Sequence, residues 1–381
     1  MSTAVTCTTN SIAVRPRLLV LEMPEYHPPL AGRDALRLDF NENTVAPSPR
    51  VLDRLKQITA EGLTKYPERE PVERKLAAHL GVDSSQLLLT NAVDEGIHLV
   101  CCTFLEEDDQ ALVATPSFFM YDVNIGLMTR NLVKVQADET FDFPFEKLLA
   151  AINERTKLII VASPNNPTGT IATRAQLLAL ANAAPHALVM VDEAYFHFHG
   201  ETVLQDIATT PNLLVARTFS KAYGLANVRI GLLAASPEII GYLRKVSSPY
   251  NVNGVALACL AAAIEDDAYL HWYAEQVRIG REQMMEGLSE LGVGYFPSAA
   301  NFVLMKIGPL HKELVAAVRR RGVLLRDRSS DPGCDGYVRI TIGVNGQVQQ
   351  GLEALRDSLN EIGWKPRRGF SITSNNEAQE F

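Results

Sequence analysis

From about residue 87 to residue 235, short apolar runs alternate with amphipathic segments. The runs are QLLLT, QALVAT, NLVKVQA, KLIIVAS, ALVMVD, LLVART and RIGLLAAS. Such runs between helical stretches predict βα units and a mostly parallel sheet buried on both faces. Between about 45 and 80 the period is helical on either side of a Tyr-Pro break in KYPEREP. Residues 255–292 read as one or two long helices. After 293 the rhythm changes: strand-like FVLMKI, a helix over HKELVAAVRRRG, strand-like YVRITIG and a last helix around QQGLEALRDSLNEIG. The pattern therefore predicts an α/β chain. Its large domain spans 36–260, and a smaller α+β domain spans 261–365 together with part of the N-terminal segment. Residues 1–35, irregular and punctuated by proline, form an arm. The polar, aperiodic stretch 366–381 is expected to be disordered.

Composition narrows the function more than the fold. The chain has 381 residues, 47% of them hydrophobic, and a formal net charge of −8. That charge, without a polybasic stretch, argues against nucleic-acid binding and against recruitment to anionic membranes. LLVL near the N-terminus is too short for a signal segment or a membrane span. The five cysteines are odd in number and lack C-x-x-C spacing, which fits a reducing compartment, and the cytoplasm is the expected location.

In an open α/β sheet, ligands bind beyond the carboxyl ends of the strands. LIIVA is followed by Ser163-Pro-Asn-Asn-Pro-Thr-Gly169, LVMV by Asp192-Glu-Ala-Tyr195, and LLVARTF by Ser220 and Lys221; LLLT leads into NAVDEGIHLV, a loop opening a helix. Taken singly each has an ordinary explanation: a loop lysine, an Asp capping a helix, turn chemistry in NNPTG. Four consecutive strand ends facing one region point to a site. A lysine that attacks an aldehyde must lose its proton, which desolvation favours. A carboxylate at the end of a buried strand, Asp192, needs a cation or a protonated nitrogen. The helix N-terminus at Val93–Asp94, the Ser220 hydroxyl and the Arg229 guanidinium form a phosphate site. An aldehyde, a protonatable ring nitrogen and a phosphate describe pyridoxal 5'-phosphate.

The set SPNNPTG, VDEAY and SKAYGLANVRIG resembles the fold-type I aminotransferases. The fuller pattern is similar to the histidinol-phosphate aminotransferase group within them. Its further marks are LDFNEN at 38–43, KYPERE at 65–70, VDEGI at 93–97, PYNVN at 249–253, PSAANFVL at 297–304, LLRDR at 324–328 and VRITIG at 338–343. The resemblance runs from about residue 24 to 360. It implies that Lys221 is the covalent partner of the cofactor aldehyde and then the general base. It implies that Asp192 pairs with the pyridine nitrogen, that Tyr195 and Asn166 bind the ring 3-oxygen, and that Phe118 stacks on the ring. The backbone at Val93 and Asp94, with Ser220 and Arg229, would bind the phosphate, joined by Tyr66 from the neighbouring subunit of a homodimer. Arg339 would take the carboxylate of glutamate and, with Arg326 and Tyr26, the phosphate of histidinol phosphate.

Two departures from the family pattern are visible. Asn91-Ala92 precedes VDEGI where the family has a glycine, and Val344-Asn345-Gly346-Gln347 replaces Thr-x-Glu-Glu-Asn after VRITIG, just past Arg339, where the substrate is expected to be chosen. An aromatic amino-acid aminotransferase and a phosphothreonine decarboxylase of the same fold remain alternatives. From another class stands a metal-dependent hydrolase built on His197-x-His199, whose alternate spacing would put both rings on one strand face. That reading leaves Lys221 without a task.

Overall fold

The computed structural model describes residues 14–23, 25 and 34–366. Tyr26 and, apart from Pro366, the tail expected to be disordered lie outside the described residues. The arm is not wholly irregular, since Leu18–Glu22 forms a short helix. A first strand, β1 (Leu36–Arg37), follows. The seven apolar runs are then all strands: β2 (Leu87–Thr90), β3 (Gln110–Thr115), β4 (Asn131–Gln136), β5 (Thr156–Ala162), β6 (Leu188–Asp192), β7 (Leu213–Thr218) and β8 (Gly231–Ala235). They form one sheet in the order β2-β8-β7-β6-β5-β3-β4. Alternate residues feed two different cores. Leu213, Val215, Val189 and Val191 pack on one face, and Leu214, Ala216, Leu188 and Met190 on the other. That alternation is why the runs of the inner strands are apolar throughout.

Only β8 runs against its neighbours, antiparallel to both β2 and β7. The strand ends that carry the polar motifs are therefore not four consecutive ones as the sequence suggests. β8 separates β2 from β7, and its amino end, not its carboxyl end, borders the site. Gly231 opens β8 at the closest approach of strand and helix. A Cβ there would lie 2.9 Å from the carbonyl carbon of Ala92 and from the Val93 nitrogen, so glycine is required for backbone contact.

The remaining strands are β9 (Gly294–Phe296), β10 (Phe302–Lys306), β11 (Val323–Leu324), β12 (Arg326–Asp327) and β13 (Tyr337–Thr341). β12-β13-β10-β9 make an antiparallel sheet. The stretch 255–292 resolves into two helices, Gly254–Ala263 and Asp267–Glu290. β1, two residues that the hydrophobic pattern assigns to the large domain, pairs in parallel with β11. The chain after β1 then runs between the two sheets. The Thr341 amide bonds Leu38 O, and the Asn41 amide bonds Thr341 Oγ1.

Candidate active site

The carboxyl ends of β2, β3, β5, β6 and β7 open onto a cleft of about 1400 Å³, whose far wall is the segment 40–47 together with Arg326 and Arg339. Drug-sized ligand pockets span roughly 300–1,000 Å³, so this one has room for a cofactor and a substrate together. Val93, Asp94, Phe118, Asn166, Asp192, Tyr195, Ser220, Lys221, Arg229, Arg326 and Arg339 all line it. Tyr66 does not. It is 77% exposed and stacks on Tyr250 with ring centroids 4.3 Å apart.

Lys221 leaves β7 on a turn, and its Nζ donates to Phe40 O at 3.0 Å. The same segment restrains the other cation of the cleft: Arg339 donates to Asp39 O at 2.7 Å and to the Asn166 side-chain oxygen. Arg339 is 4% exposed, and burial pushes its pKa down to about 9, so the guanidinium stays charged at neutral pH. Tyr195 receives a hydrogen bond from Asn41 Nδ2 at 3.0 Å and packs edge-on against Phe302. LDFNEN thus acts as a strap whose backbone oxygens aim a lysine and an arginine at one space. Periodicity does not show this, because the partners are 154 to 300 residues away in sequence.

Asp192 is the last residue of β6 and 5% exposed. Burial pushes its pKa up to about 6, against the pull of two hydrogen bonds. Tyr121 Oη donates to Oδ2 at 2.6 Å, and the Ala194 amide donates to Oδ1 at 2.9 Å. Tyr121 is fully buried and stands edge-on to Phe118. The motif reading missed it, although it lies three residues beyond Phe118, on the short helix Phe119–Gly126 that Phe118 precedes.

At the other end of the cleft, the helix Ala92–Phe104 points its N-terminus at Ser220 and Arg229. Ser220 Oγ accepts from Thr218 Oγ1, and Arg229 pairs with the Asp94 carboxylate at 2.7 Å. Free amides, a hydroxyl and a guanidinium make an anion site. Ala92, where the family has glycine, sits at φ +60°, a left-handed conformation that strains a residue carrying Cβ. Ala92→Gly should therefore stabilise the fold by about 0.5–1 kcal/mol, the left-handed strain of ~1–2 less the extra chain entropy of glycine. Denaturant unfolding measures it, and a loss of stability would show that the strain is absent.

The two histidines are not on a strand. Phe196–Phe198 is a 3₁₀ turn. His197 packs edge-on between Phe196 and Tyr223, while His199 faces Glu201 at 3.5 Å. Their rings thus take different neighbours and do not share a face. The Val344–Gln347 departure also sits elsewhere than expected. It opens the helix Asn345–Glu361, where Gln347 Oε1 accepts from the Val344 amide and Gln347 Nε2 donates to Thr44 O. It supports the strap from behind and does not line the cleft.

The sequence profile of the aminotransferase class I and II family matches residues 33–355. The chain belongs to the class I and II aminotransferases. Among its relatives in that family, a histidinol-phosphate aminotransferase from Moorella thermoacetica is 32% identical over 367 residues, covering 94% of each chain. Another, from Symbiobacterium thermophilum, is 36% identical over 341 residues, 87% of this chain and 92% of the relative. The crystal structure of histidinol-phosphate aminotransferase from Sinorhizobium meliloti in complex with pyridoxal-5'-phosphate superposes with a TM-score of 0.83 at 25% identity, covering 92% and 99%. An L-threonine-O-3-phosphate decarboxylase from Porphyromonas gingivalis shares the fold, with a TM-score of 0.75 at 24% identity, over 85% of this chain and 99% of that one. For this aminotransferase the donor set of the cleft fits pyridoxal phosphate. It offers an amine at a strand end, a buried carboxylate held by a phenol, and a helix N-terminus backed by Ser220 and Arg229.

Proposed function

We propose that this aminotransferase uses pyridoxal 5'-phosphate to move the amino group of histidinol phosphate to 2-oxoglutarate, by ping-pong half-reactions, in L-histidine biosynthesis. The observation that carries the donor assignment is the register of the second sheet. Arg326 and Arg339 are directly opposed partners on β12 and β13, and both guanidiniums line the cleft. Like charges directly opposite on one face repel, and an anion bound between them relieves that. One such site serves the phosphate of histidinol phosphate and the carboxylate of glutamate in turn. The relatives named histidinol-phosphate aminotransferase support the phosphate-bearing donor.

When bound, the cofactor supplies an aldehyde carbon and an electron-withdrawing ring. The protein does the rest. Lys221 Nζ would take the proton from the donor's α carbon and deliver one to the carbon on the far side of the amino nitrogen, the former aldehyde carbon. Asp192, steadied by Tyr121 and the Ala194 amide, keeps a ring nitrogen protonated. Tyr195 and Asn166 hold the ring oxygen, Phe118 covers the ring face, and the helix N-terminus with Ser220 and Arg229 anchors the phosphate. The active unit is a homodimer in which Tyr66 reaches the neighbouring subunit's phosphate site. Its exposure, next to Tyr250 and the 66%-exposed Leu63, supports a covered surface there. The enzyme works in the cytoplasm, and the free cysteines Cys101, Cys102, Cys259 and Cys334 fit that setting. Among the described residues no helix is long and apolar enough to cross a membrane.

Steady-state rates with histidinol phosphate, phenylalanine and tyrosine as donors and 2-oxoglutarate as acceptor test the assignment. The phosphate ester should exceed the aromatic amino acids in kcat/KM by at least about 10-fold, the worth of one charged contact. Equal use of phenylalanine would move the enzyme to the aromatic class.

A further inference from the structure

Beside Arg326 and Arg339, the same end of the cleft holds another guanidinium, that of Arg328. Arg328 follows β12, lines the cleft together with Asp331, and forms an ion pair with it. Both side chains are largely enclosed, 12% and 17% exposed, and the buried Arg328 Nε has no hydrogen-bond partner. Among the charges acting on Arg339, that of Arg328 weighs more than that of Arg326, and Asp331 opposes both. Asp331 is itself poorly placed for a carboxylate, because burial pushes its pKa up while Arg328, Arg339 and Arg326 hold it down. Arg326, Arg328 and Arg339 thus gather around the Asp331 carboxylate at this end of the cleft.

A carboxylate brings one negative charge and two oxygens. A phosphate monoester brings up to two charges and three acceptor oxygens on one atom. Arg328 is already engaged by Asp331, so a ligand gains it only by competing with that carboxylate. A dianion competes better than a monoanion. We propose that Arg328, restrained by Asp331, is a specificity-determining residue that selects phosphate-bearing over carboxylate-bearing amino donors. This inference rests on the donor assignment above and adds a third cation to the site that assignment describes. The pair spans one turn of chain, Asp331 N bonding Arg328 O at 2.9 Å, so a brace for the loop is the competing explanation. Substrate discrimination separates the two.

The test uses the holoenzyme and the variants Arg328→Gln and Asp331→Asn. Histidinol phosphate and glutamate are compared as donors, and inorganic phosphate is titrated as a competitive inhibitor of the glutamate reaction. In Arg328→Gln the ratio of kcat/KM for histidinol phosphate to that for glutamate should fall roughly 10–100-fold, the span of one charge-assisted contact, and inhibition by phosphate should weaken in step. Asp331→Asn should move inhibition the other way, tightening phosphate several-fold. A constant donor ratio in Arg328→Gln, or phosphate inhibition indifferent to both variants, overturns the proposal. If Arg328→Gln does not fold, the Asp331→Asn inhibition constant decides alone. A wild-type enzyme that ignores histidinol phosphate refutes the donor assignment instead, and the inorganic phosphate titration still judges Arg328.

Discussion

Replacing Lys221 with alanine is expected to lower transamination by about 10⁴-fold or more, because one side chain supplies both the covalent amine and the base. Among the described residues the cleft holds no ready substitute. Lys134 also lines it but forms an ion pair with Asp122, which ties its ammonium to the wall. The variant should nonetheless fold. Lys221 Nζ is bonded to one backbone carbonyl, Phe40 O, in a cleft that admits water, so the lost contact is worth about 1 kcal/mol. Cofactor should still bind through Ser220, Arg229 and the helix N-terminus, with an altered visible spectrum that borohydride no longer fixes to the protein. Single-turnover kinetics on the cofactor-loaded variant, with circular dichroism as the folding control, give the answer. Turnover near the wild-type rate would remove Lys221 from both roles.

The parts of this molecule that could be read from the sequence are those whose cause is local. Six of the seven strands of the large sheet appear as apolar runs because each is buried on both faces; the edge strand β4 shows instead by alternation, with Lys134 and Gln136 exposed. The strand-end motifs appear because turn residues and polar groups follow those runs directly. What sequence reading missed is held by distant partners. β1 is two residues long and exists because β11 lies alongside it. Asn41 matters through Tyr195, and Asp39 through Arg339. The antiparallel entry of β8 leaves no mark on its composition, since a strand buried on both faces reads the same in either direction. Val344–Gln347 was misplaced for a related reason. Its closeness in sequence to Arg339 suggested the cleft, but the strand ends at Thr341 and the chain turns away to begin a helix.

Asp192→Asn should separate stability from catalysis. In the protein without cofactor, burial raises this carboxyl from 3.8 to about 6. A group whose folded pKa lies above its unfolded value contributes stability that is full below the unfolded value and is lost as pH rises through the folded one. Between pH 4 and 6, then, the cofactor-free wild type should lose stability on this account, by about 3 kcal/mol for a rise of that size. Asparagine carries no charge to desolvate, so the variant should lack that slope and exceed the wild type at pH 7, while matching it more closely at pH 4. The loaded enzyme should respond in the opposite sense. An amide cannot hold a protonated ring nitrogen by charge, and a loss of about 10³-fold in kcat is expected, the scale of one preorganised electrostatic contact. Tyr121→Phe should act on the same window. Its hydroxyl lowers the Asp192 pKa, so removing it should move the stability slope of the cofactor-free protein to higher pH and weaken cofactor retention near neutrality. Chemical denaturation of the cofactor-free proteins at several pH values, set beside kcat of the loaded ones, tests both. If Asp192→Asn were less stable than wild type at pH 7, the carboxylate would be a structural anchor. A charge that the fold tolerates at a disadvantage until the cofactor arrives predicts the reverse.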